Sequence, residues 1–457
     1  MKRGTKSRMK PAMKPAMKPD MKPATNPGRG VRPSSAAVPP PVVDALAQLL
    51  ARVLRFEGPA DSAMSRFFRD RPQLGVRDRG LIAEGAFDAM RRLSTLAWSM
   101  NPARPERAPR LAALVTLARQ HGLDALDPRS LGGDERAVRH ALKLDVAHAP
   151  AAVRSEVPLW IFRLVEAQYA DAVPLLAACA SPAPLDLRVN TIKAERDAVL
   201  DELVRSGTRA RPTPYSPDGI RLVDKPGLTR WPIYKEGRIE VQDEGSQLVA
   251  RLVAPRRGMM VADLCAGAGG KTLALGSLMR STGRIYAFDN NARRLAGLPP
   301  RLKRSGLSNV HPVAIASEGD PRVKRLSAKM DRVLVDAPCS GSGTWRRNPD
   351  LKWRFDEHEI ARLGEIQARL LRAGARLLKP GGRLVYATCS LLEAENQRQV
   401  ESFLAEDTRF RAVAADEVLR PQGIAIPDAA RFAPWFVMLP HLHATDGFFS
   451  AILERHA

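Results

Sequence analysis

The chain has 457 residues, of which 44% are apolar, and it carries a formal charge of +23. At about 150 residues per domain, this length predicts roughly three domains, with ample apolar content for a large core. The sequence has no apolar run near the roughly 20 residues that span a bilayer, which argues against a membrane protein and predicts a soluble one. Its four cysteines are widely spaced, which disfavours disulfides or a zinc site and favours a reducing, cytoplasmic compartment.

The positive charge is spread along the chain. Residues 1–40 contribute a net +9, so +14 of the total lies beyond them. Such a surplus predicts a polyanionic partner, most simply nucleic acid, because phosphate neutralisation supplies most of the non-specific affinity. The N-terminus has no apolar segment typical of a secretory signal.

Residues 1–40 are predicted to form a disordered basic tail. Residues 9–24 repeat Met-Lys-Pro-Ala almost perfectly, and a proline at every fourth position excludes a helix while offering little to bury. Two interpretations of the tail stay open: non-specific attraction to nucleic acid, and a solubilising role only.

Residues 41–150 are predicted to form an all-helical module. Apolar residues fall on one face from Val42 onward, and further helices are predicted over 76–99, 107–121 and 134–144. The module contains no catalytic group of residues that the sequence reveals.

Residues 151–250 are predicted to form a small α/β subdomain. Strands are expected at 185–191, 219–223 and 237–241, with a helix over 195–206. Its Arg and Lys residues are expected to face RNA, and a purely structural bridge is the alternative.

Residues 251–457 alternate strands and helices, which predicts a doubly wound, Rossmann-like parallel sheet. The carboxyl edge of such a sheet is where ligands bind. Strands are predicted over 259–264, 284–288, 310–316, 331–336 and 382–388, with an edge hairpin at 435–440 and 447–454.

Two of these strands end in reactive residues. One ends at Asp336 and is followed closely by Cys339, and the other leads into Thr388-Cys389-Ser390. A carboxylate and two thiols are therefore expected to meet in one cleft, a combination suited to adding a nucleophile to a heterocycle.

The first strand of this sheet leads into a glycine-rich turn. Its glycines let the backbone turn sharply and approach a ligand, and Asp289, at the end of the second strand, is placed to accept hydrogen bonds from ribose. A phosphate-binding P-loop would need Gly where Cys265 stands, and the glycines are spaced too closely for a dinucleotide. S-adenosyl-L-methionine fits better. The turn consists of Cys265, Ala266, Gly267, Ala268, Gly269, Gly270 and Lys271.

With these motifs, the chain resembles the RsmB/Nop/Sun family of RNA 5-methylcytosine methyltransferases. The resemblance covers roughly residues 185–455, and the double-cysteine pattern is its most specific part. The helical module looks like the NusB-like extension of the family's ribosomal RNA branch. Further matching segments are Leu187–Asn190, Gln242–Ser246, Arg346–Asp350, Lys379–Gly382 and Asp446–Phe449.

The resemblance implies a role for each reactive residue. Cys389 is the nucleophile, Cys339 assists product release, and Asp336 hydrogen-bonds the amino group and nitrogen 3 of cytosine. Carbon 5 of cytosine is too electron-poor to take a methyl group directly, so a thiolate first adds to carbon 6 of an unstacked base. The resemblance also implies that S-adenosyl-L-methionine is bound by residues 265–271, Asp289 and Asp336.

The sequence departs from the family pattern in two places. The glycine-rich turn reads Cys-Ala-Gly-Ala-Gly-Gly-Lys where the family usually has Cys-Ala-Ala-Pro-Gly-Gly-Lys. The third strand leads into Ser317-Glu318 where the family usually has an Asp near adenine, so either residue is a candidate for that contact.

The remaining candidates lie close to the second thiol or in the core. Cys179 lies in an apolar helical run and is predicted to be core. A basic segment after Cys339 is predicted to contact phosphates and stack on a base, the alternative being a solvated loop over core tryptophans. This segment contains Trp345, Arg346, Arg347, Lys352 and Trp353.

The sequence thus predicts a cytoplasmic RNA (cytosine-5-)-methyltransferase that acts on ribosomal RNA, as a monomer without a metal or a membrane partner. A transfer RNA cytosine methyltransferase is one alternative. A DNA cytosine methyltransferase would use Cys339 as nucleophile and leave Cys389 superfluous. A non-catalytic RNA-binding ribosome assembly factor would tolerate loss of Cys389, Asp336 or Asp289, and none is lost.

Overall fold

A computed structural model describes Met1 and residues 37–224 and 226–457. The predicted disorder of the basic tail lies outside these residues, apart from Met1 and the last residues of the tail. Of these last residues, Val38 pairs with Leu126 and Pro40 begins the first helix, so the prediction of disorder is wrong for them.

The α-helices confirm the predicted positions and add short ones between them. The long stretch predicted over 76–99 is two helices that meet at Arg92, and the helix over 60–69 was not predicted. In chain order they are α1 (Pro40–Val53), α2 (Ala60–Arg69), α3 (Val76–Arg91), α4 (Leu93–Ser99), α5 (Pro109–His121), α6 (Pro128–Leu131), α7 (Glu135–Lys143), α8 (Ala151–Arg154), α9 (Leu159–Gln168), α10 (Ala172–Cys179), α11 (Arg196–Arg205), α12 (Pro232–Lys235), α13 (Glu244–Val253), α14 (Gly270–Leu278), α15 (Ala292–Leu295), α16 (Leu298–Ser305), α17 (Pro321–Lys324), α18 (Leu351–Arg354), α19 (Glu357–Leu377), α20 (Gln397–Glu406), α21 (Ala415–Leu419) and α22 (Pro440–His443).

The predicted strands are likewise confirmed, and two short edge strands, over 210–212 and 410–413, were not predicted. The strands are β1 (Leu185–Val189), β2 (Ala210–Pro212), β3 (Gly219–Leu222), β4 (Ile239–Val241), β5 (Met260–Asp263), β6 (Arg284–Asp289), β7 (Val310–Ala314), β8 (Met330–Asp336), β9 (Leu378–Thr388), β10 (Phe410–Val413), β11 (Phe436–Met438) and β12 (Phe448–Arg455).

The helical module has its own core. The apolar faces of α1, α3, α5 and α7 bury a continuous cluster that includes Leu46, Leu50, Met90 and Leu114. A Cβ at Gly85 would lie 2.8 Å from Leu46, so glycine is what allows α3 to approach α1 this closely.

The small sheet is antiparallel and has the strand order β2-β3-β1-β4. Leu187, Val199, Ile220 and Ile239 form its core with α11. The preceding helices α9 and α10 instead bury their apolar faces in the same cluster as the large sheet. The start of α13 packs in a third cluster, so the segment 151–250 is divided among three cores.

The large sheet has the order β10-β12-β9-β8-β5-β6-β7, and β11 pairs with β12 at one side. The central pairs are parallel and β12 is antiparallel to β9, which confirms a Rossmann-like sheet. The predicted pairing of β11 with β12 is present, but the prediction of an edge hairpin is wrong for β12, which lies between β10 and β9. Because β5, β6, β8 and β9 run the same way, their carboxyl ends share one edge. None of the described helices is long and apolar enough to cross a membrane.

Candidate active site

A cavity of about 470 Å³ opens at the carboxyl edge of the large sheet. Six of the predicted site residues line it, which brings both thiols and the carboxylates of two strand ends into one space. They are Cys265, Lys271, Asp289, Asp336, Cys339 and Cys389.

The two thiols lie side by side in this cavity. Cys389 directly follows β9, and the loop after β8 brings the Cys339 Sγ to 3.5 Å from the Cys389 Sγ. The pKa of Cys339 is raised well above its usual range, because its thiol shares a hydrogen bond with Cys389 and is buried. The Cys339 thiol therefore keeps its proton well into the alkaline range.

Asp336 and Lys271 form a partly buried ion pair beside the thiols. Lys271 Nζ lies 2.7 Å from Asp336 Oδ2, and it lies 5.4 Å from the centroid of the Phe448 ring. Burial by itself lowers the pKa of Lys271, but the carboxylate of Asp336 outweighs it and the net change is upward. Cys389 also raises the pKa of Lys271, so this positive charge lies near the Cys389 thiol.

The glycine-rich turn wraps around the carboxylate of Asp289. Gly267 N donates to Asp289 Oδ2 at 2.7 Å, and Asn291 N donates to Oδ1 at the same distance. Gly269 has φ +85°, and a Cβ there would lie 2.2 Å from Leu298, so the turn requires glycine at this position. Of the predicted cofactor residues, Ala266, Gly267, Ala268, Gly269 and Gly270 shape this turn and do not form the cavity wall.

These residues fit an adenosine cofactor. Each Asp289 oxygen accepts one backbone hydrogen bond and keeps a lone pair for a ribose hydroxyl, and Asp289 lies at the cavity wall. Of the two candidates for the adenine contact, Glu318 lines the cavity. Its carboxylate also pairs with Arg369 Nε at 3.0 Å, so the contact to adenine stays a prediction.

The prediction that the basic segment after Cys339 contacts phosphates is wrong for its two arginines. Arg346 is 8% exposed and donates to the backbone carbonyl of Thr445. Arg347 pairs with Asp446 at 2.6 Å and with Asp243 at 3.0 Å. The buried guanidinium of Arg346 and the ion-paired, partly exposed one of Arg347 join the site to the loop before β12 and to the start of α13.

The same prediction is wrong for Lys352, which is 2% exposed and donates to the Arg91 carbonyl at 2.7 Å. The Trp353 indole donates to the Met90 carbonyl at 2.9 Å. The alternative of a solvated loop is wrong as well, because this segment docks the helical module against the catalytic domain. Trp345 is buried, as that alternative expected.

Two buried carboxylates near the site were missed by sequence reasoning. Asp263, at the end of β5, accepts from Thr272 Oγ1 at 2.7 Å, and burial raises its pKa to about 7. Glu395 accepts hydrogen bonds from the loops of both reactive cysteines. The position of Asp263 at a strand end was a usable signal, whereas the contacts of Glu395 leave no trace in local sequence.

The fourth cysteine is remote from this chemistry. Cys179 is buried in the core as predicted, and burial raises its pKa to about 12. Among the residues that the structure describes, no group of three or more His, Cys, Asp or Glu side chains is arranged to hold a metal ion.

The fold and the cavity define a Rossmann-like, S-adenosylmethionine-dependent methyltransferase. Residues 250–454 match the family model of the 16S rRNA methyltransferase RsmB/F, and residues 157–228 match that of the RsmF/B-like ferredoxin-like domain. A probable ribosomal RNA small subunit methyltransferase B of Synechocystis is 36% identical over 364 residues, covering 77% of this chain and 80% of the relative. The chain belongs to the RsmB/F family of rRNA methyltransferases.

Solved structures agree with this fold. The crystal structure of PH0851 has a TM-score of 0.74 and 24% identity, covering 92% of this chain and 100% of its own. NSun6 from Pyrococcus horikoshii, solved with the S-adenosylmethionine analogue SFG, has a TM-score of 0.57 and 20% identity. It covers 66% of this chain and 98% of its own.

Proposed function

We propose that this chain methylates carbon 5 of a cytosine in the RNA of the small ribosomal subunit, through a covalent adduct between Cys389 and carbon 6. The observation that carries the proposal is the pair of Sγ atoms 3.5 Å apart, in a cavity that Asp336 also lines. A methyltransferase whose target atom is already nucleophilic, such as an amine nitrogen, has no need of two thiols at this place.

The first step is addition of the Cys389 thiolate to carbon 6. A bond forms between sulfur and carbon 6, and the ring electrons move toward carbon 5, which becomes nucleophilic. S-adenosylmethionine, when bound, supplies an electrophilic methyl group. The ammonium of Lys271 lies close enough to Cys389 for the two groups to interact electrostatically.

Asp336 stabilises the cytosine ring during the reaction, and Cys339 assists the release of product. The Asp336 carboxylate accepts from the cytosine amino group and from nitrogen 3 when that atom is protonated, so it stabilises the ring as charge builds up. In the last step the carbon 5 proton leaves to a base, the double bond re-forms, and the sulfur departs with its electron pair. Cys339, 3.5 Å from the leaving sulfur, is placed to assist this step.

The net charge of the chain and its sequence similarity to a named relative support the substrate assignment. A net charge of +23 suits a polyanion, and the Synechocystis relative is named for the RNA of the small ribosomal subunit. We extend that substrate to this chain.

The test is methyl transfer from labelled S-adenosylmethionine to total RNA of a methylation-deficient host, followed by nucleoside mass spectrometry. We expect 5-methylcytidine in the small-subunit RNA with wild type, none with Cys389→Ala, and normal activity with Cys179→Ala as the matched control. Methylation of transfer RNA alone would show that the substrate is transfer RNA and not ribosomal RNA. Binding of RNA without any methyl transfer would refute the proposed enzymatic activity and favour the interpretation as an RNA-binding assembly factor.

A further inference from the structure

Glu395 is a fully buried carboxylate between the two cysteine loops. Its Oε1 accepts from Ser340 N at 2.8 Å and from Gln367 Nε2 at 3.2 Å. Its Oε2 accepts from Ser340 Oγ at 2.6 Å and from Ser390 Oγ. The four donors are uncharged, so hydrogen bonds alone compensate the buried negative charge.

Three of these four contacts come from a residue that directly follows a cysteine. Ser340 follows Cys339, and Ser390 follows Cys389, so one carboxylate holds the residue after each cysteine. Gln367 Nε2 also donates to the Pro338 carbonyl at 2.9 Å, which fixes the residue before Cys339. The loops are 50 positions apart in the chain, and Glu395 accepts from both of them in addition to the direct bonds that Ser390 shares with Ser340 and Ser342.

The charge of Glu395 adds an electrostatic effect to this scaffold. A negative charge in a buried site disfavours a second negative charge nearby. Glu395 is among the groups that raise the pKa of Cys339, after the hydrogen bond to Cys389, burial and the charge of Cys389. Geometry and charge therefore act together on the same thiol.

We propose that Glu395 is a positioning residue for the reaction: its carboxylate holds the two cysteine loops together and places a negative charge against the Cys339 loop while Cys389 acts as the nucleophile. Only the naming of Cys389 as nucleophile rests on the proposed function.

Glu395→Gln separates the two effects. The amide oxygen can replace Oε1 as acceptor for Ser340 N and Gln367, and the amide NH₂ can donate to serine hydroxyls that rotate to accept. The scaffold is retained and the charge is lost. Glu393→Gln is the matched control, since Glu393 lies two residues away and pairs with Arg398 instead.

The experiment measures the rate at which iodoacetamide alkylates each cysteine of the full-length protein, by peptide mass spectrometry between pH 6 and 10, without RNA or cofactor. In wild type we expect Cys389 to be labelled faster than Cys339 throughout. In Glu395→Gln we expect the labelling rate of Cys339 at pH 8 to rise about threefold or more, because its thiolate fraction rises. Glu393→Gln should match wild type.

Two results would overturn the inference. One is faster labelling of Cys339 than of Cys389 in wild type, a test that does not depend on any variant folding. The other is an unchanged pH profile for Cys339 in a folded Glu395→Gln protein. In the methylation assay, Glu395→Gln should lower kcat about tenfold with KM for RNA unchanged, since substrate binding is untouched. Because alkylation needs no substrate, absence of 5-methylcytidine in wild type would refute the proposed function and leave this inference standing.

Discussion

Lys352 offers a prediction whose magnitude follows from the structure. The side chain is 2% exposed, and burial lowers its pKa from 10.5 to about 8, against the attraction of Glu156. That difference in pKa means that keeping Lys352 charged in the folded protein lowers the free energy of unfolding by about 3 kcal/mol. Lys352→Met fills a similar volume and removes this penalty, together with the hydrogen bond to the Arg91 carbonyl, which contributes about 1 kcal/mol.

The sign of the pH dependence follows from the lowered pKa. Between pH 8 and 10.5 the unfolded chain holds more protons at Lys352 than the folded one does, so this residue makes stability rise with pH over that window. Below pH 8 Lys352 is charged in both the folded and the unfolded protein, so the full destabilisation of about 3 kcal/mol applies. The stability of Lys352→Met relative to wild type should therefore fall by about 3 kcal/mol between pH 7 and pH 10.5.

The assay is urea unfolding of both proteins, followed by tryptophan fluorescence, which includes Trp353 at this interface. The control is Lys303→Met, because Lys303 is exposed on α16 and should give a difference that does not change with pH. A stability difference between Lys352→Met and wild type that stays constant within about 1 kcal/mol from pH 7 to 10.5 would refute the reasoning.

Two further variants test the site. Gly343→Ala places a Cβ 2.2 Å from the Gly447 carbonyl oxygen, which forces the loop that carries Cys339 away from the loop before β12. Methyl transfer should fall at least about tenfold, whereas Gly133→Ala, which meets open space, should be active. Full activity of Gly343→Ala would contradict the expected constraint. Asp289→Asn should weaken S-adenosylmethionine binding about tenfold by calorimetry, since hydrogen bonds to a charged group contribute about 1.5–3 kcal/mol; an unchanged Kd would remove Asp289 from the cofactor site.

The sequence predicts the large sheet well because its strands are buried on both faces. Such strands are continuous apolar runs, and β5, β6, β8 and β9 were placed within a few residues of their observed bounds. The edge strand β10 has only four residues, with an exposed Arg in the middle, and it gives no comparable signal. Its identity as a strand comes from pairing with β12, a contact across the chain.

That Asp336, Cys339 and Cys389 line one cavity was predictable because they lie at or just after strand ends, where local pattern and position in the fold coincide. The basic segment after Cys339 was misinterpreted because charge alone does not reveal its partner. Arg347 meets Asp243 and Asp446, each about a hundred positions away, and Lys352 meets a backbone carbonyl of the helical module. Glu395 was missed for the same reason, since its function depends on two loops that only the fold brings together.

The central claim is that Cys389 forms the covalent adduct and Cys339 assists its release. The most direct measurement is to incubate wild type, Cys389→Ala and Cys339→Ala with S-adenosylmethionine and RNA of a methylation-deficient host, and to resolve protein–RNA complexes on denaturing gels. The account predicts a stable adduct with Cys339→Ala and none with Cys389→Ala. A stable adduct with Cys389→Ala, trapped through Cys339, would reverse the two roles and contradict the account.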